Sequence, residues 1–173
     1  MELVAVMGPS GSGKTSLLNV ISQRTYLSKG SQVKGTVSVN DRVLEAGDFG
    51  KMGAFVQQDD ILAGSLTPKE LLTFAAKMKT SMNDDAIDIV VEKILRRLGL
   101  QECKNTQVGG WGKRSISNSE RKQTSIGYEM ITEPSLIILD EPTSGLDSHT
   151  SIKLVQLLRK EAYRGQTIMA TIH

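Results

Sequence analysis

The residues best equipped for chemistry stand near the start of the chain. Gly8-Pro9-Ser10-Gly11-Ser12-Gly13-Lys14-Thr15 follows the apolar run Leu3-Val4-Ala5-Val6-Met7 and leads straight into Ser16-Leu17-Leu18-Asn19-Val20-Ile21. Glycine, four residues, then Gly-Lys-Thr is the spacing of a phosphate-binding loop, and it sits here between a strand and a helix, as that chemistry requires. Gly8, Gly11 and Gly13 permit backbone angles barred to other residues, so successive N–H groups can turn inward around an anion. A helix opening near Lys14 aims its unpaired N–H groups and the positive end of its dipole at the same point. Lys14 adds a point charge for β- and γ-phosphates, the Thr15 hydroxyl can ligate Mg²⁺, and Ser16 continues the phosphate-facing turn. The bland alternative is a glycine-rich turn that binds nothing. Strand, loop, lysine, hydroxyl and helix, all in place together, argue against it.

A second anchor lies far downstream, where Leu136-Ile137-Ile138-Leu139 ends on Asp140-Glu141. Phosphoryl transfer to water needs a carboxylate near Mg²⁺ and a group that orients or deprotonates the attacking water. Adjacent acids at the carboxyl end of a buried parallel strand stand where open α/β sheets bind ligands. Asp140 is the candidate for the Mg²⁺ shell, through water, and Glu141 for the general base. Two acids can also simply end a strand and solvate a turn; a phosphate loop in the same chain favours the chemical reading.

These anchors need elements to hold them. At 173 residues the chain suits one domain with a real core. A net charge of +2 with scattered Lys and Arg shows no concentrated basic patch, so no nucleic-acid partner is expected. The single Cys103 excludes an internal disulfide and reads as a small packed residue. No uninterrupted apolar stretch is long enough to span a bilayer. Met1-Glu2 opens directly into a strand, which is not how a signal peptide begins. That start, and a last strand ending on His173, read as cuts through a larger chain.

In order, Val33-Lys34-Gly35-Thr36-Val37-Ser38-Val39 alternates as a half-buried strand does, Asn40-Asp41-Arg42 reads as a turn, and a short strand covers about Gly53 to Val56. Thr67-Pro68-Lys69-Glu70 is a capping box with proline at the first helical position. The helix it opens should bury Leu71, Leu72, Phe74, Ala75 and Met78. A second helix, from Asp84 to about Leu98, should bury Ile87, Ile89, Val90, Ile94, Leu95 and Leu98, with acids at its start, Arg96 and Arg97 at its end and Gly99 as its stop. A third runs from Ser117 to about Thr132. The run Leu136 to Leu139 suits a central parallel strand covered on both faces. A helix from Ser148 to about Tyr163 and a strand from Thr167 to Ile172 complete the chain. The interval from about Leu66 to Thr132 is mainly helical and far longer than a simple phosphate-loop kinase needs, which points to an inserted subdomain.

Taken together, Gly8 to Thr15, Gln58, Ser117-Asn118-Ser119-Glu120, Leu139-Asp140-Glu141-Pro142-Thr143-Ser144-Gly145-Leu146-Asp147 and His173 fall in the order of an ABC-transporter nucleotide-binding domain. The chain resembles that family over nearly its whole length. Phe55-Val56-Gln57-Gln58-Asp59-Asp60, Ser119 to Gly127 and Pro142 to Asp147 are similar to the G subfamily, the white or eye-pigment type. The resemblance implies an α/β fold of the P-loop NTPase class: a RecA-like core with a mostly parallel sheet over residues 1–60 and 133–173, and a helical subdomain over 61–132 carrying the signature helix. It implies an ATPase that takes ATP and Mg²⁺. Its partners would be a second nucleotide-binding domain, in a homo- or heterodimer, and a transmembrane domain, placing it at the cytoplasmic face of a membrane. It implies export of lipids, sterols or pigment precursors.

Position by position, the resemblance makes Gln58, rather than Gln57, the glutamine that touches Mg²⁺ or water. It puts Asp147 across the dimer interface as well as at a helix N-cap. It makes His173 the switch histidine at the γ-phosphate; His149 reads as a solvated surface residue. In the signature, Ser117 is kept, but Asn118 and Ser119 stand where the family has two glycines, each adding a Cβ where close backbone approach is needed. The same stretch reads equally as a capping box, Ser117 with Glu120. A weak or slow signature half-site follows, and with it an alternative function: a regulatory module that binds ATP and dimerises but hydrolyses little. Trp111 and the loop before Ser117 either face the transmembrane segments or pack as an ordinary loop. The adenine-stacking aromatic of the family lies upstream of the phosphate loop, outside this chain. A soluble ABC-type ATPase acting on DNA or ribosomes fits less well, for want of a basic patch, and a small-molecule kinase lacks an arginine-bearing lid.

Overall fold

The computed structural model describes residues 2–25, 30, 32–39, 41–109 and 115–172. Among them, β1 (Leu3–Met7), β4 (Gly53–Val56), β5 (Leu136–Leu139) and β6 (Thr167–Ile172) form one sheet in the order β1-β6-β5-β4, every pair parallel. Val56 lies beside Leu139, Leu139 beside Ala170, and Met7 beside Ile172, so the strands run out at one common edge. β5 lies between two parallel neighbours and is apolar throughout because both of its faces are covered. Ile137 and Leu139 belong to the large core with the helices that follow β4 and with α6 (Ser148–Tyr163); Ile138 belongs to a smaller cluster with Leu18, Phe49 and Phe55. Leu18 comes from α1 (Lys14–Ile21), which the glycine-rich loop feeds onto that second face.

Between β4 and β5 the chain makes α3 (Pro68–Lys79), α4 (Asp84–Arg97) and α5 (Asn118–Met130). Thr67 and Ser117 cap α3 and α5 with complete capping boxes, each accepting from the N–H of the glutamate three residues on. Asn83 caps α4 by accepting from Ala86 N–H. α3, α4 and α5 pack closely at Gly127, where an added Cβ would stand 2.8 Å from Leu98 and 3.1 Å from Leu72. Glu161 of α6 is fully buried, and its charge is met by the guanidiniums of Arg97 and Arg164.

Three sequence expectations change. The strand expected over Val33 to Val39 shrinks to β2 (Ser38–Val39), paired antiparallel with β3 (Arg42–Val43), because most of the earlier residues are exposed and have no apolar surface to alternate against. A one-turn helix, α2 (Phe49–Met52), is too short to show a period. Phe74, Met78 and Ile89, expected in buried stripes, are 51%, 70% and 69% exposed. The core covers Leu71, Leu72, Ala75 and Ala76 of α3 and Ile87, Val91, Ile94 and Leu95 of α4, a narrower stripe than apolarity alone suggested.

Candidate functional site

Three segments leave the sheet at its common edge and turn toward one another. After β1 the backbone passes through Gly11 at φ 79° and Gly13 at φ 89°, left-handed angles that a side chain would strain. Ser12 N–H donates to Pro9 carbonyl at 3.2 Å, and Gly13 carbonyl accepts the first helical bond of α1 from Leu17. A Cβ on Gly8 would stand 2.8 Å from Ser12 Oγ, which would have to turn away. Lys14 is buried. Its Nζ donates to Gly8 carbonyl at 2.8 Å and Pro9 carbonyl at 3.2 Å, which folds the ammonium back over its own loop.

From β4 comes Gln58, and from β5 Glu141. Gln58 Nε2 donates to Glu141 Oε2 at 3.2 Å. Ser10, Gly11, Gly13, Lys14, Thr15 and Ser16 line one side of a cleft of about 360 Å³; Gln58 and Glu141 line the other. The two sequence anchors therefore meet around one polar cavity. Asp140 is buried directly behind Glu141 and does not line the cleft. Its N–H continues the sheet ladder to Val56 carbonyl at 3.0 Å.

Glu141 is a non-glycine residue at φ 43°. Left-handed backbone of this kind costs about 1–3 kcal/mol and persists only when its surroundings hold it. Thr171 of β6, fully buried, supplies a hold: its Oγ1 accepts the Glu141 N–H at 2.7 Å and donates to Asp140 Oδ1 at 2.7 Å. A second contact fixes Gln58. Lys122 of α5, nearly fully buried, donates to Gln58 carbonyl at 2.8 Å and lies 2.7 Å from Asp60 Oδ1. Neither residue was a sequence candidate. Lys122 had a usable signal, since its spacing from Ile126 and Met130 puts a lysine on the buried face of α5. Thr171 had only a faint one, a hydroxyl between the apolar Ala170 and Ile172.

Ser117 and Asp147 lie elsewhere, exposed at the N-termini of α5 and α6. Ser117 Oγ is 2.7 Å from Glu120 Oε2 and accepts from Glu120 N–H at 3.3 Å. Asp147 accepts from Thr150 hydroxyl at 2.6 Å and Thr150 N–H at 3.0 Å, bonds that hold its carboxyl below the usual range. His173 and Trp111 lie outside the described residues. Among the described residues, no cluster of three His, Cys, Asp or Glu could hold a metal alone, and no helix is long and apolar enough to cross a membrane. Thr15, Gln58, Asp140 and Glu141 offer oxygen donors only, a set that suits Mg²⁺, which keeps several waters and takes few protein ligands.

Comparison with known proteins agrees with this geometry. The family model described as "ABC transporter" matches residues 1–144. ABC transporter G family member 26 of Arabidopsis thaliana is 44% identical over 99% of this chain, which covers 25% of that protein. ABC transporter G family member 25 of Oryza sativa subsp. japonica is also 44% identical over 99% of the chain, here 17% of the relative. The chain thus spans a quarter or less of these relatives. The solved structure of cbiO1 from Clostridium perfringens, described as part of the ABC transporter complex cbiONQ, superposes with a TM-score of 0.85 at 24% identity, over 99% of this chain and 67% of that one. At that identity the likeness speaks to the fold, an α/β P-loop NTPase.

Proposed function

The chain belongs to the ABC transporter family, and on that premise we propose that it is the nucleotide-binding domain of a G-type transporter, one that binds MgATP and hydrolyses it to drive export of a lipid-like or small hydrophobic substrate. Its core is residues 1–60 and 133–173, and its helical subdomain 61–132. The observation that carries this reading is the shared cleft, with Lys14 and its loop on one side and Gln58 and Glu141 on the other. Identity of 44% with two G family members supports the subfamily.

The loop's N–H groups and the positive end of α1 hold the phosphates, and Lys14 exchanges its two carbonyl partners for β- and γ-phosphate oxygens. Thr15 and Gln58, with Asp140 behind them acting through water, would hold Mg²⁺, which when bound would neutralise charge on the transferring phosphoryl oxygens. Glu141 takes a proton from the attacking water as that water's oxygen bonds to the γ-phosphorus and the bond to the β–γ bridging oxygen breaks. Gln58, already bonded to Glu141, orients that water. His173 contacts the γ-phosphate, and Ser117 and Asp147 of a second domain close the site from outside. An open groove beside Gln57, with Ile61 82% exposed and Arg24 stacked 4.9 Å from the centre of the Phe55 ring, is the surface offered to a transmembrane domain.

A second reading, a regulatory module that binds ATP and turns over little, is favoured by one observation. The Ser117 hydroxyl is engaged by Glu120 within its own capping box, with Asn118 and Ser119 beside it. Steady-state ATPase activity of the full chain and of Glu141→Gln separates the two. The transporter reading expects turnover that the variant loses while still binding MgATP. Equal turnover in both would leave the regulatory reading.

A further inference from the structure

A threonine that is fully buried between apolar Ala170 and Ile172 needs a reason, since valine has the same shape and leaves no polar group to satisfy. Thr171 is fully buried, and its neighbours Ile168, Ala170 and Ile172 are what the position would predict. The reason is chemical. A hydroxyl carries one proton and can accept as well as donate. The proton goes to Asp140 Oδ1 at 2.7 Å and a lone pair takes the Glu141 N–H at 2.7 Å, so one oxygen atom serves both acids.

Each bond has a separate consequence. Bonding one oxygen of Asp140 to the hydroxyl restricts rotation of its carboxylate. Anchoring the N–H of Glu141 holds that residue at φ 43°, the turn that brings its side chain within 3.2 Å of Gln58 Nε2. The strand to which Thr171 belongs lies directly beside β5, with Leu139 paired to Ala170, so the hydroxyl cannot serve one acid without lying next to the other.

We propose that Thr171 is a positioning residue: its hydroxyl sets Asp140 and Glu141 as a rigid pair, which gives the cleft its metal-ligating and water-activating geometry. The inference rests on the hydrolytic reading above. Thr171 is fully buried and does not line the cleft, so it acts through the two carboxylates.

The test compares Thr171→Val, which keeps the shape and removes the hydroxyl, with Thr171→Ser, which keeps the hydroxyl and removes a methyl group. Three quantities are read on the full chain: turnover, affinity for a fluorescent ATP analogue with and without Mg²⁺, and the midpoint of urea unfolding. Misplacement by about 1 Å can cost about 100-fold in rate. Thr171→Val should therefore lose about that much in kcat, and lose the gain in affinity that Mg²⁺ brings. Its Mg²⁺-free affinity, set by the loop around Lys14, should stay within about twofold. Thr171→Ser should stay close to the wild type in all three. A packing role predicts the reverse order, with Val harmless and Ser harmful, and that result overturns the proposal. So does a Val variant whose turnover and Mg²⁺ response match the wild type; the hydrolytic reading then survives alone. A wild type that neither binds nor hydrolyses ATP sinks both. If the Val variant does not fold, Thr171→Ala against Thr171→Ser poses the same question.

Discussion

Lys122 and Asp60 stand 2.7 Å apart with 4% and 12% of their side chains exposed, and the same ammonium donates to the carbonyl of Gln58 at 2.8 Å. One buried charge thus ties α5, which Ser117 caps, to the strand end that carries Gln58. Removing a single partner of a buried pair leaves an uncompensated charge, which costs about 3–5 kcal/mol. Lys122→Met should lower stability toward urea by about 3 kcal/mol. Asp60→Asn should cost clearly less, because the ammonium keeps a carbonyl partner. The double variant should be more stable than the sum of the two single losses implies. Strict additivity in that cycle would show that the pair does not couple.

The signature stretch carries an opposed pair of effects. Asn118 and Ser119 open α5 behind the Ser117 cap, where their side chains limit how closely another backbone or phosphate can approach. Replacing both with glycine should raise ATP turnover, by about tenfold if about 1.4 kcal/mol of strained approach is relieved. The same change should lower helix stability by about 1 kcal/mol, because glycine is a poor helix former. Higher activity with a lower unfolding midpoint is the expected combination. Unchanged turnover in an assembled dimer would remove the idea that this half-site is slowed by its sequence.

Legible in the sequence were the features written in neighbouring residues. The glycines around Lys14, the Thr67 and Ser117 capping boxes and the apolar run before Asp140 each announce themselves within a few positions. That the loop of Lys14 and the acids after β5 meet was legible only as a wager; the structure puts Lys14 and Glu141 on one cleft, with Asp140 buried behind. Thr171 and Lys122 were missed for a physical reason. Their work is done across the sheet and across the helix packing, on partners remote in sequence, and a polar residue inside an apolar period reads as noise until its partner is seen. Phe74, Met78 and Ile89 failed in the other direction. Apolarity marks what can be buried, and the three-helix packing around Gly127 covers only part of it.

The lone cysteine offers a test of that packing. Cys103 is buried, with Sγ donating to Leu100 carbonyl at 3.6 Å, and it belongs to the same core as Leu98, Val108 and Ile116. Burial, seconded by the negative charge of Glu120, pushes its thiol up to about 12 from an ordinary value of 9.0. The native chain should therefore resist iodoacetamide at pH 8 and react only as fast as it unfolds, since the thiolate is the nucleophile. The sign of the stability effect follows from linkage. Below pH 9 the thiol is protonated in both states and contributes no slope. Between about 9 and 12 the unfolded chain ionises while the native one does not, so stability falls as pH rises. Cys103→Ala should lower stability at pH 7, because it leaves a small cavity, yet flatten the loss between pH 9 and 11 relative to the wild type. Parallel pH profiles for the two proteins, or rapid alkylation of the folded chain, would mean that the thiol is not sealed in the core.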